Sequence, residues 1–540
     1  MPTGGRIGWT ATVVAVAVLT ALPVLVVARE GLSPDPEVWR RLWNGPLPEM
    51  ILTTLGLLLG VGAGSLVLGV GLAWLVSVYR FPGSGMFEWM LLLPLAMPAY
   101  VLGFVFLALF GFAGPVQTGW RALFGPHAWF PEVRSLGGAV FVLSFSLYPY
   151  TYLAAKAAIA EHAPSTFEAA RLLGDGRLRA GWRVMLPLAR PSLAAGAAVA
   201  MMETLTDFAS VQYFNVQTVS VGVYRIWRGA FDREAAVELA FVVLVFALLV
   251  IAAERGLRGR RRFEQRGGGR ELRPVTLPGR KGLAAAALCS AVMTLAFFAP
   301  VGQLVWWAVG SSSAPRLDRG LVYASNSLGV ALTAAAAAVG VAILLAGGAR
   351  LAGSRVASWA TRLATAGYAV PGPVVAIGVL GLVLAAARLF ASFGWDDPRV
   401  LVGFSLIGLV YAYVVRFTAL AFGPVDASLE KITPNVVDAA HTLGAGPTRV
   451  LRQIYLPLVR AGAAAGGLLV AVDALKELPI VLLIRPFGFT TLSVWVWELA
   501  SESRWSMAAI PAMAIVGAAM IPTVVAMRRL RNPRAVPWVS

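Results

Sequence analysis

The sequence predicts an all-α integral membrane protein with about twelve transmembrane helices in two homologous halves of six. Three observations support this fold class. The chain has 540 residues, of which 58% are hydrophobic and 13% are charged, whereas about a quarter of the residues in a soluble protein are charged. Apolar runs of roughly 18 or more residues recur along the whole length. One polar segment between such runs occurs twice, which indicates an internal duplication.

Each apolar run is long enough to cross the hydrocarbon core of a bilayer, which takes about 20 helical residues. An uncleaved first span is favoured over a cleaved signal peptide, because only Arg6 precedes the first run and the cleavage sequence is weak. The predicted spans of the two halves lie near 9–28, 51–79, 87–113, 136–158, 192–214 and 236–253, and near 283–309, 324–346, 363–388, 400–423, 461–484 and 507–527.

The position of the basic residues predicts the orientation of the chain. The formal net charge is +18, and much of it lies in residues 254–282 and in the C-terminal "RRLRNPR". Basic residues that flank spans mark the cytoplasmic side, so this pattern disfavours a nucleic-acid partner. We therefore expect a first half at 1–253, a basic cytoplasmic linker at 254–282 and a second half at 283–540, with both termini in the cytoplasm.

Few residues of the chain are suited to bind a metal or a nucleotide. Cys289 is the single cysteine, and three histidines are spread over the whole chain. No GxxxxGK[ST] sequence occurs, so we expect any ATP to bind a partner subunit. Neither a bound cofactor nor a resident metal is expected in this chain, and no catalytic residue is assigned.

The repeated polar segment defines two elbows. The first elbow (164–190) aligns without a gap with the second elbow (434–460), at a shift of 270 residues, and eleven positions are identical. Glu168 aligns with Asp438. Weaker matches extend the repeat on both sides, pairing 53–56 with 326–329, Pro98 with Pro371, and 202–208 with 472–478.

The residue pattern of each elbow predicts a short capped helix, a glycine and a second amphipathic helix. Ser165 and Glu168 have the spacing of a capping box, and Asn435 and Asp438 repeat it. Gly174 and Gly444 are predicted to end the first helix in a left-handed conformation. Pro187 is predicted to break the second helix of the first elbow.

Two interpretations of the elbows remain open at this point. Their arginines could face lipid phosphates. The apolar residues Phe167, Ala170 and Leu173 could instead pack into a groove of a partner protein. The exact spacing of the two copies favours a protein partner, since contact with lipid requires no fixed register.

The elbows resemble a known motif. The first elbow contains Glu-Ala-Ala, a glycine six residues after the glutamate, and a Leu-Pro pair twelve residues beyond the glycine. This pattern resembles the cytoplasmic EAA loop of binding-protein-dependent ABC importer permeases. The elbows depart from the motif in two ways: the second has Asp438 for the glutamate, which keeps the carboxylate, and Leu173 and Leu443 precede the glycine. The resemblance assigns ATPase coupling to Glu168, Ala169, Ala170, Gly174 and Pro187 in the first elbow, and to Asp438, Ala439, Ala440, Gly444 and Pro457 in the second.

Membership of this family implies partners and a location. Two ABC ATPase subunits would bind the elbows and hold ATP and Mg, and a periplasmic solute-binding protein would deliver the solute. The chain would then be a multi-pass protein of the bacterial inner membrane. Fusion of two permease halves resembles the ferric-iron importers and the related thiamine and phosphonate importers, and residues 203–214 and 475–498 are most similar to the ferric-iron group.

Four charged residues near membrane depth are candidates for the translocation path: Glu203, Asp207, Lys476 and Glu477. Ionisable groups there are costly unless they are paired or hydrated, so they are functional candidates by default. Glu203 and Asp207, at i and i+4, could face a passing hard cation. Alternatively, Glu203 and Lys476 could form a salt bridge between the halves.

Other polar and helix-breaking residues are expected to have structural roles. Lys156 and Arg416 are predicted to extend towards the membrane interface. Pro98, Pro371 and Pro373 are predicted to kink the third span of each half.

A secondary transporter of the major-facilitator type is the main rival, because it also has six plus six spans. Its short basic loop between the second and third spans is poorly matched by residues 77–85, and the repeat found here lies between the fourth and fifth spans. A membrane-anchored scaffold would need neither paired elbows nor ionisable residues within spans.

Overall fold

The computed structural model describes residues 3–230, 232–258, 274–310, 317–394 and 398–531. Within these ranges the chain is helical apart from turns, loops and one pair of two-residue strands, which confirms the all-α class. Eleven helices are long and apolar enough to cross a membrane, or twelve if the bent pair Pro447–Leu458 and Arg460–Lys476 forms one span. Residues 259–273 of the predicted basic linker lie outside the described residues.

The helices of the first half follow the predicted spans in order. They are α1 (Thr3–Leu32), α2 (Pro36–Trp43), α3 (Leu47–Val78), α4 (Ser84–Met90), α5 (Ala99–Phe110), α6 (Pro115–Phe124), α7 (Leu136–Leu172), α8 (Arg177–Ala180), α9 (Leu186–Thr206), α10 (Phe208–Tyr213), α11 (Val219–Arg225) and α12 (Arg233–Arg258). A 3₁₀ turn at Leu93–Ala96 and π turns at Gly181–Met185 and Ile226–Ala230 connect some of them.

The second half repeats this order. Its helices are α13 (Gly279–Met293), α14 (Ala299–Gly310), α15 (Leu317–Ala352), α16 (Arg355–Thr365), α17 (Gly372–Ser392), α18 (Pro398–Glu430), α19 (Pro434–Thr442), α20 (Pro447–Val450), α21 (Leu456–Leu458), α22 (Arg460–Lys476), α23 (Pro479–Ile484), α24 (Leu492–Ser501) and α25 (Trp505–Arg531). The connecting turns are 3₁₀ at Ala366–Ala369 and π at Thr294–Phe298 and Leu451–Tyr455.

The compact units of the structure are not the contiguous halves of the sequence. One unit consists of Met1–Asn44, Gly222–Leu244 and Pro315–Trp495, and the other of Gly45–Val221, Val245–Ala314 and Val496–Ser540. Each unit therefore combines the second to fifth spans of one half with the first span of the other. Three of the boundaries between the units fall inside helices, in α11, α12 and α24.

Packing within each unit explains this exchange. In the unit built on the second half, α1 packs on α15, α16 and α17, and Val13 and Ala17 join its apolar core. In the unit built on the first half, α14 packs on α25 and α5. The first span of each half thus buries its apolar side against helices that lie far away in the sequence.

Glycines let α3 and α7 approach each other closely. A Cβ atom at Gly60 would lie 2.7 Å from Val140 Cγ2, and one at Gly64 would lie 2.2 Å from Ser144 Oγ. Small residues at four-residue spacing are typical of tightly packed transmembrane helices. This contact fixes the fourth span, and with it the start of the first elbow.

The third span of each half is interrupted at the predicted proline. Pro98 and Pro371 are the N-caps of α5 and α17, with nearly identical ψ angles of 139°, and a 3₁₀ turn precedes each. Proline lacks an N–H and clashes with the preceding turn of a helix, so the chain starts a new helix at this point. The predicted kink at Pro98 and Pro371 is confirmed as a full break, and Pro373 lies in the first turn of α17.

The two strands fix the end of the linker. β1 (Tyr79–Arg80) pairs in parallel with β2 (Val275–Thr276), and the Leu277 N–H donates to the Arg80 carbonyl at 2.8 Å. The end of the second span is thereby joined to the segment that enters α13.

Candidate functional site

The first elbow begins as a continuation of the fourth span. Helix α7 runs without interruption through Ser165 to Leu172, so the prediction that Ser165 caps a new helix is wrong. Two residues after the end of the helix, Gly174 has a φ angle of +96°, and the Asp175 N–H donates to the Ala170 carbonyl at 3.1 Å. The left-handed glycine is therefore confirmed. The side chains of Phe167, Glu168 and Ala169 lie outside the described residues.

The second elbow has a separate helix with a closed C-terminus. Helix α19 is capped at Thr433 without a side-chain hydrogen bond, and Asn435 lies inside the helix, so the predicted capping box is wrong here too. Gly444 has a φ angle of +81°. The Gly444 N–H donates to the His441 carbonyl at 3.0 Å and the Ala445 N–H to the Ala440 carbonyl at 2.9 Å, which is a Schellman motif.

The second helix of each elbow passes through a π turn. In the first elbow the turn Gly181–Met185 and α9 form one span from Gly181 to Thr206, so the predicted break at Pro187 is wrong. The wider turn accommodates a proline that cannot donate a backbone hydrogen bond. In the second elbow the chain instead bends by 70° beyond Pro457, between Pro447–Leu458 and Arg460–Lys476.

Both elbows expose an apolar residue immediately before the left-handed glycine. Leu173 is 89% exposed and Leu443 is 86% exposed, and the repeat aligns these two positions. Ala170 is buried against the chain, whereas Asp438 and Ala439 are exposed and Ala440 is half-buried. Gly174 and Pro457 are exposed, and Pro187 is half-buried. Each elbow therefore presents a leucine on a rigid turn.

The second region of interest is a break near the end of the fifth span, which occurs in both halves. Helix α9 ends at Thr206, directly before Asp207, and α22 ends at Lys476, directly before Glu477. The repeat aligns Asp207 with Glu477, and the short helices α10 and α23 follow. The Ser210 N–H donates to Asp207 Oδ1 at 2.9 Å, and the Ile480 N–H donates to Glu477 Oε1 at 3.2 Å. Both acidic residues thus cap the helix after the break. We call these points the fifth-span breaks.

The loop after each break is bound to the second span by the same hydrogen bond. The Val219 N–H donates to Thr54 Oγ1 at 3.0 Å, and the Leu492 N–H donates to Ser327 Oγ at 2.8 Å. Both pairs are 165 residues apart. The sequences TVSV (218–221) and TLSV (491–494) supply these loops, and this similarity is the signal from which the repeated contact could have been predicted.

The remaining charged candidates have partners close to their own elements. Lys476 Nζ lies 2.8 Å from Asp473 Oδ1, three residues earlier in α22. Glu203 is half-buried near the end of α9, and the carboxylate of Asp207 is directed to the N–H and hydroxyl of Ser210. The Asp207 carboxylate therefore caps the short helix after α9, and the shared face of Glu203 and Asp207 stays a prediction.

Arg416 is the site residue that sequence reasoning missed. Its Nε lies 3.7 Å from Glu477 Oε2, and the two side chains are 4% and 7% exposed. The predicted extension of Arg416 to the membrane interface is therefore wrong. An arginine deep in an apolar span is a functional candidate by default, and its position in the run YAYVVRFTALAF was the available signal. Lys156, by contrast, is half-exposed and lies 2.6 Å from Glu88 Oε1.

Alanine variants should separate the roles of Asp207 and Glu203. We expect Asp207→Ala to destabilise the protein by about 1 kcal/mol, because it removes the acceptor that caps α10. Glu203→Ala should lower solute uptake without lowering the unfolding temperature, because Glu203 carries a half-buried charge beside the break. Thermal unfolding and uptake in proteoliposomes measure the two effects. Normal uptake by the Glu203 variant would remove that residue from the translocation path.

Known proteins are similar to this chain in sequence. The family of binding-protein-dependent transport system inner membrane components matches the chain at residues 65–262 and again at 338–532. An Fe(3+)-transport system permease protein of Haemophilus influenzae is 27% identical over 511 residues, which cover 93% of this chain and 94% of that protein.

Relatives with other named solutes match a smaller part of the chain. The sulfate transport system permease protein of Escherichia coli is 30% identical over 206 residues, or 36% of this chain and 70% of that protein. The molybdenum transport system permease protein of Escherichia coli is 25% identical over 224 residues, or 40% of this chain and 90% of that protein. The two family matches confirm the duplication. The chain therefore belongs to the family of binding-protein-dependent transport system inner membrane components and carries the family's domain twice.

Proposed function

We propose that this chain is the permease subunit of an ATP-driven importer that moves ferric iron into the cytoplasm. A periplasmic binding protein would deliver the iron, and two ABC ATPase subunits would bind the two elbows. In this arrangement the elbows, the basic linker and both chain termini lie on the cytoplasmic side of a bacterial inner membrane. The chain itself would carry out no covalent chemistry.

The observation that carries the proposal is the matched exposure of Leu173 and Leu443. Exposed leucines on rigid turns are unfavourable in water and favourable in a protein groove. Each leucine lies directly before a left-handed glycine, at aligned positions of the repeat. Two equivalent docking sites, one for each ATPase subunit, would explain this similarity. ATP hydrolysis would then act on the helices that leave the elbows, α7 and α9 in the first half and α18 and α22 in the second.

Support for iron comes from the relative in Haemophilus influenzae, of which 94% is matched. The sulfate and molybdenum relatives cover 36% and 40% of the chain and favour, as the second candidate, an importer of a small solute other than iron. Thiamine and phosphonates are the other solutes that the resemblance suggests. The carboxylates of Glu203 and Asp207 suit a hard cation better than an anion. Secondary transport of the major-facilitator type is the remote alternative.

Reconstituted uptake tests the proposal. Proteoliposomes that contain the chain and its ATPase are supplied with a ferric-loaded binding protein. They should accumulate radioactive iron only when Mg-ATP is present on the side of the membrane where the ATPase is bound. Sulfate, molybdate, thiamine and aminoethylphosphonate, each offered with the same binding protein, serve as controls. Accumulation of one of these solutes instead of iron would show that the chain transports that solute. Uptake driven by an ion gradient without ATP would contradict the proposal of an ATP-driven importer.

A further inference from the structure

The two fifth-span breaks hold their acidic residue in different ways. In the first half the second oxygen of Asp207 accepts the hydroxyl of Ser210, from the same turn whose N–H it caps. The repeat places Ile480 at the position of Ser210, and isoleucine has no hydroxyl. In the second half the second oxygen of Glu477 instead lies 3.7 Å from Arg416 Nε. In the second half the partner of this second oxygen therefore comes from α18, whereas in the first half it comes from Ser210 in the same turn.

Arg416 lies on the helix that leads into the second elbow. Helix α18 continues from Arg416 to Glu430, and α19 begins at Pro434. At about 1.5 Å per residue, the ion pair lies roughly 20 Å along α18 from its elbow end. Helix α22 leaves the elbow at Arg460 and ends at Lys476, directly before Glu477. The elbow therefore joins α18 and α22 at one end, and the ion pair joins the middle of α18 to the far end of α22.

The ion pair is part of a wider set of contacts around the second break. The Ser493 hydroxyl donates to the Glu477 carbonyl at 2.9 Å. The neighbouring Leu492 N–H donates to Ser327 Oγ on α15 at 2.8 Å. Helices α18 and α22 also pack on each other, and α23 packs on α17 and α18. Arg416 on the fourth span thus contacts Glu477. The second span is linked to the same residue through the hydrogen bonds of Leu492 and Ser493.

We propose that Arg416 is a positioning residue for transport, which binds the second fifth-span break to α18 so that movement of the second elbow reaches the break. The inference rests on the proposed function, because it takes the elbow as the point where ATP hydrolysis acts. A partner within the turn, as in the first half, caps the short helix equally well. It does not connect the break to the helix that enters the elbow.

Two variants separate positioning from capping. Arg416→Gln removes the connection and leaves Glu477 without its cationic partner. The triple variant Arg416→Gln, Glu477→Asp and Ile480→Ser copies the first-half cap, with its carboxylate, N–H and hydroxyl, into the second half. Lys156→Gln is the matched control, since it removes the half-exposed ion pair with Glu88 in the first half.

The experiment measures the iron imported per ATP hydrolysed, in proteoliposomes with the ATPase and the loaded binding protein, together with the unfolding temperature. We expect Arg416→Gln to lower iron per ATP about tenfold while hydrolysis continues, in the usual range of coupling between sites. The triple variant should recover the unfolding temperature and keep the low ratio. Lys156→Gln should change the ratio by less than about twofold, as is usual for an exposed ion pair.

Two results would overturn the inference: an unchanged ratio in Arg416→Gln, or full recovery of the ratio in the triple variant, which would leave Arg416 only a capping partner. Failure of the proposed function is a separate result, because the unchanged protein would then show no ATP-driven iron uptake. That result would overturn the inference together with the function.

Discussion

Reversing the charge at both elbows, with Glu168→Arg and Asp438→Arg together, is expected to abolish ATP-driven uptake while the protein remains in the membrane. Asp438 is exposed on α19, and the repeat aligns Glu168 with it. A like charge placed in a docking surface costs several kcal/mol, and about 1.4 kcal/mol already weakens binding tenfold. Each single reversal should therefore lower uptake by about tenfold or more, and the double reversal should reduce it to background.

Copurification of the ATPase from membranes measures docking directly, and uptake measures its consequence. Glu502→Arg is the matched control, because Glu502 is also an exposed acid, with 59% of its side chain accessible, but it lies outside both elbows. The control should keep the ATPase bound and uptake normal. Normal uptake in the double elbow variant would remove the docking role from these two residues.

Glu477→Leu is expected to have the largest effect on stability of any single substitution at the site. It leaves the guanidinium of Arg416 buried without its carboxylate, and removal of one partner from a buried ion pair costs about 3–5 kcal/mol. The Ile480 N–H loses its acceptor as well. We expect a lower apparent unfolding temperature in detergent and less protein in the membrane.

The double variant Arg416→Leu and Glu477→Leu should recover much of this stability, because replacing a whole buried pair by apolar residues is often neutral or stabilising. Glu203→Leu is the comparison variant, because it removes a half-buried acid but leaves no buried arginine without its carboxylate. It should destabilise the protein less than Glu477→Leu. Equal instability of the single and double variants would show that the loss comes from altered packing and not from an unpaired buried charge.

The spans and the repeat were predictable because they depend on local chemistry. Apolar length decides which segments can cross a bilayer, and every predicted span contains helical residues of the structure. Gly174 and Gly444 were predictable for the same reason, since a left-handed residue after a helix favours glycine. The breaks at Pro98 and Pro371 also follow from the residue itself.

The helix starts in the elbows were predicted wrongly because capping residues act only where a helix begins. Ser165 has the right type and spacing, but α7 continues through it from the fourth span. Asn435 lies one residue inside a helix whose first turn contains Pro434. Pro187 likewise stands where a break is expected, and a π turn absorbs it. Continuation of a packed helix outweighs a cap that contributes about 1 kcal/mol.

The sequence alone determined that this protein is a duplicated permease of eleven or twelve spans with two matched elbows, because hydrophobic length, charge position and repeat spacing are properties of neighbouring residues. Tertiary structure decided which side chains meet. It placed Arg416 on Glu477 across 61 positions of the chain, and α1 among the helices of the second half. Such partners depend on how helices pack, and within a uniformly apolar span the hydrophobic pattern does not specify which face meets which neighbour.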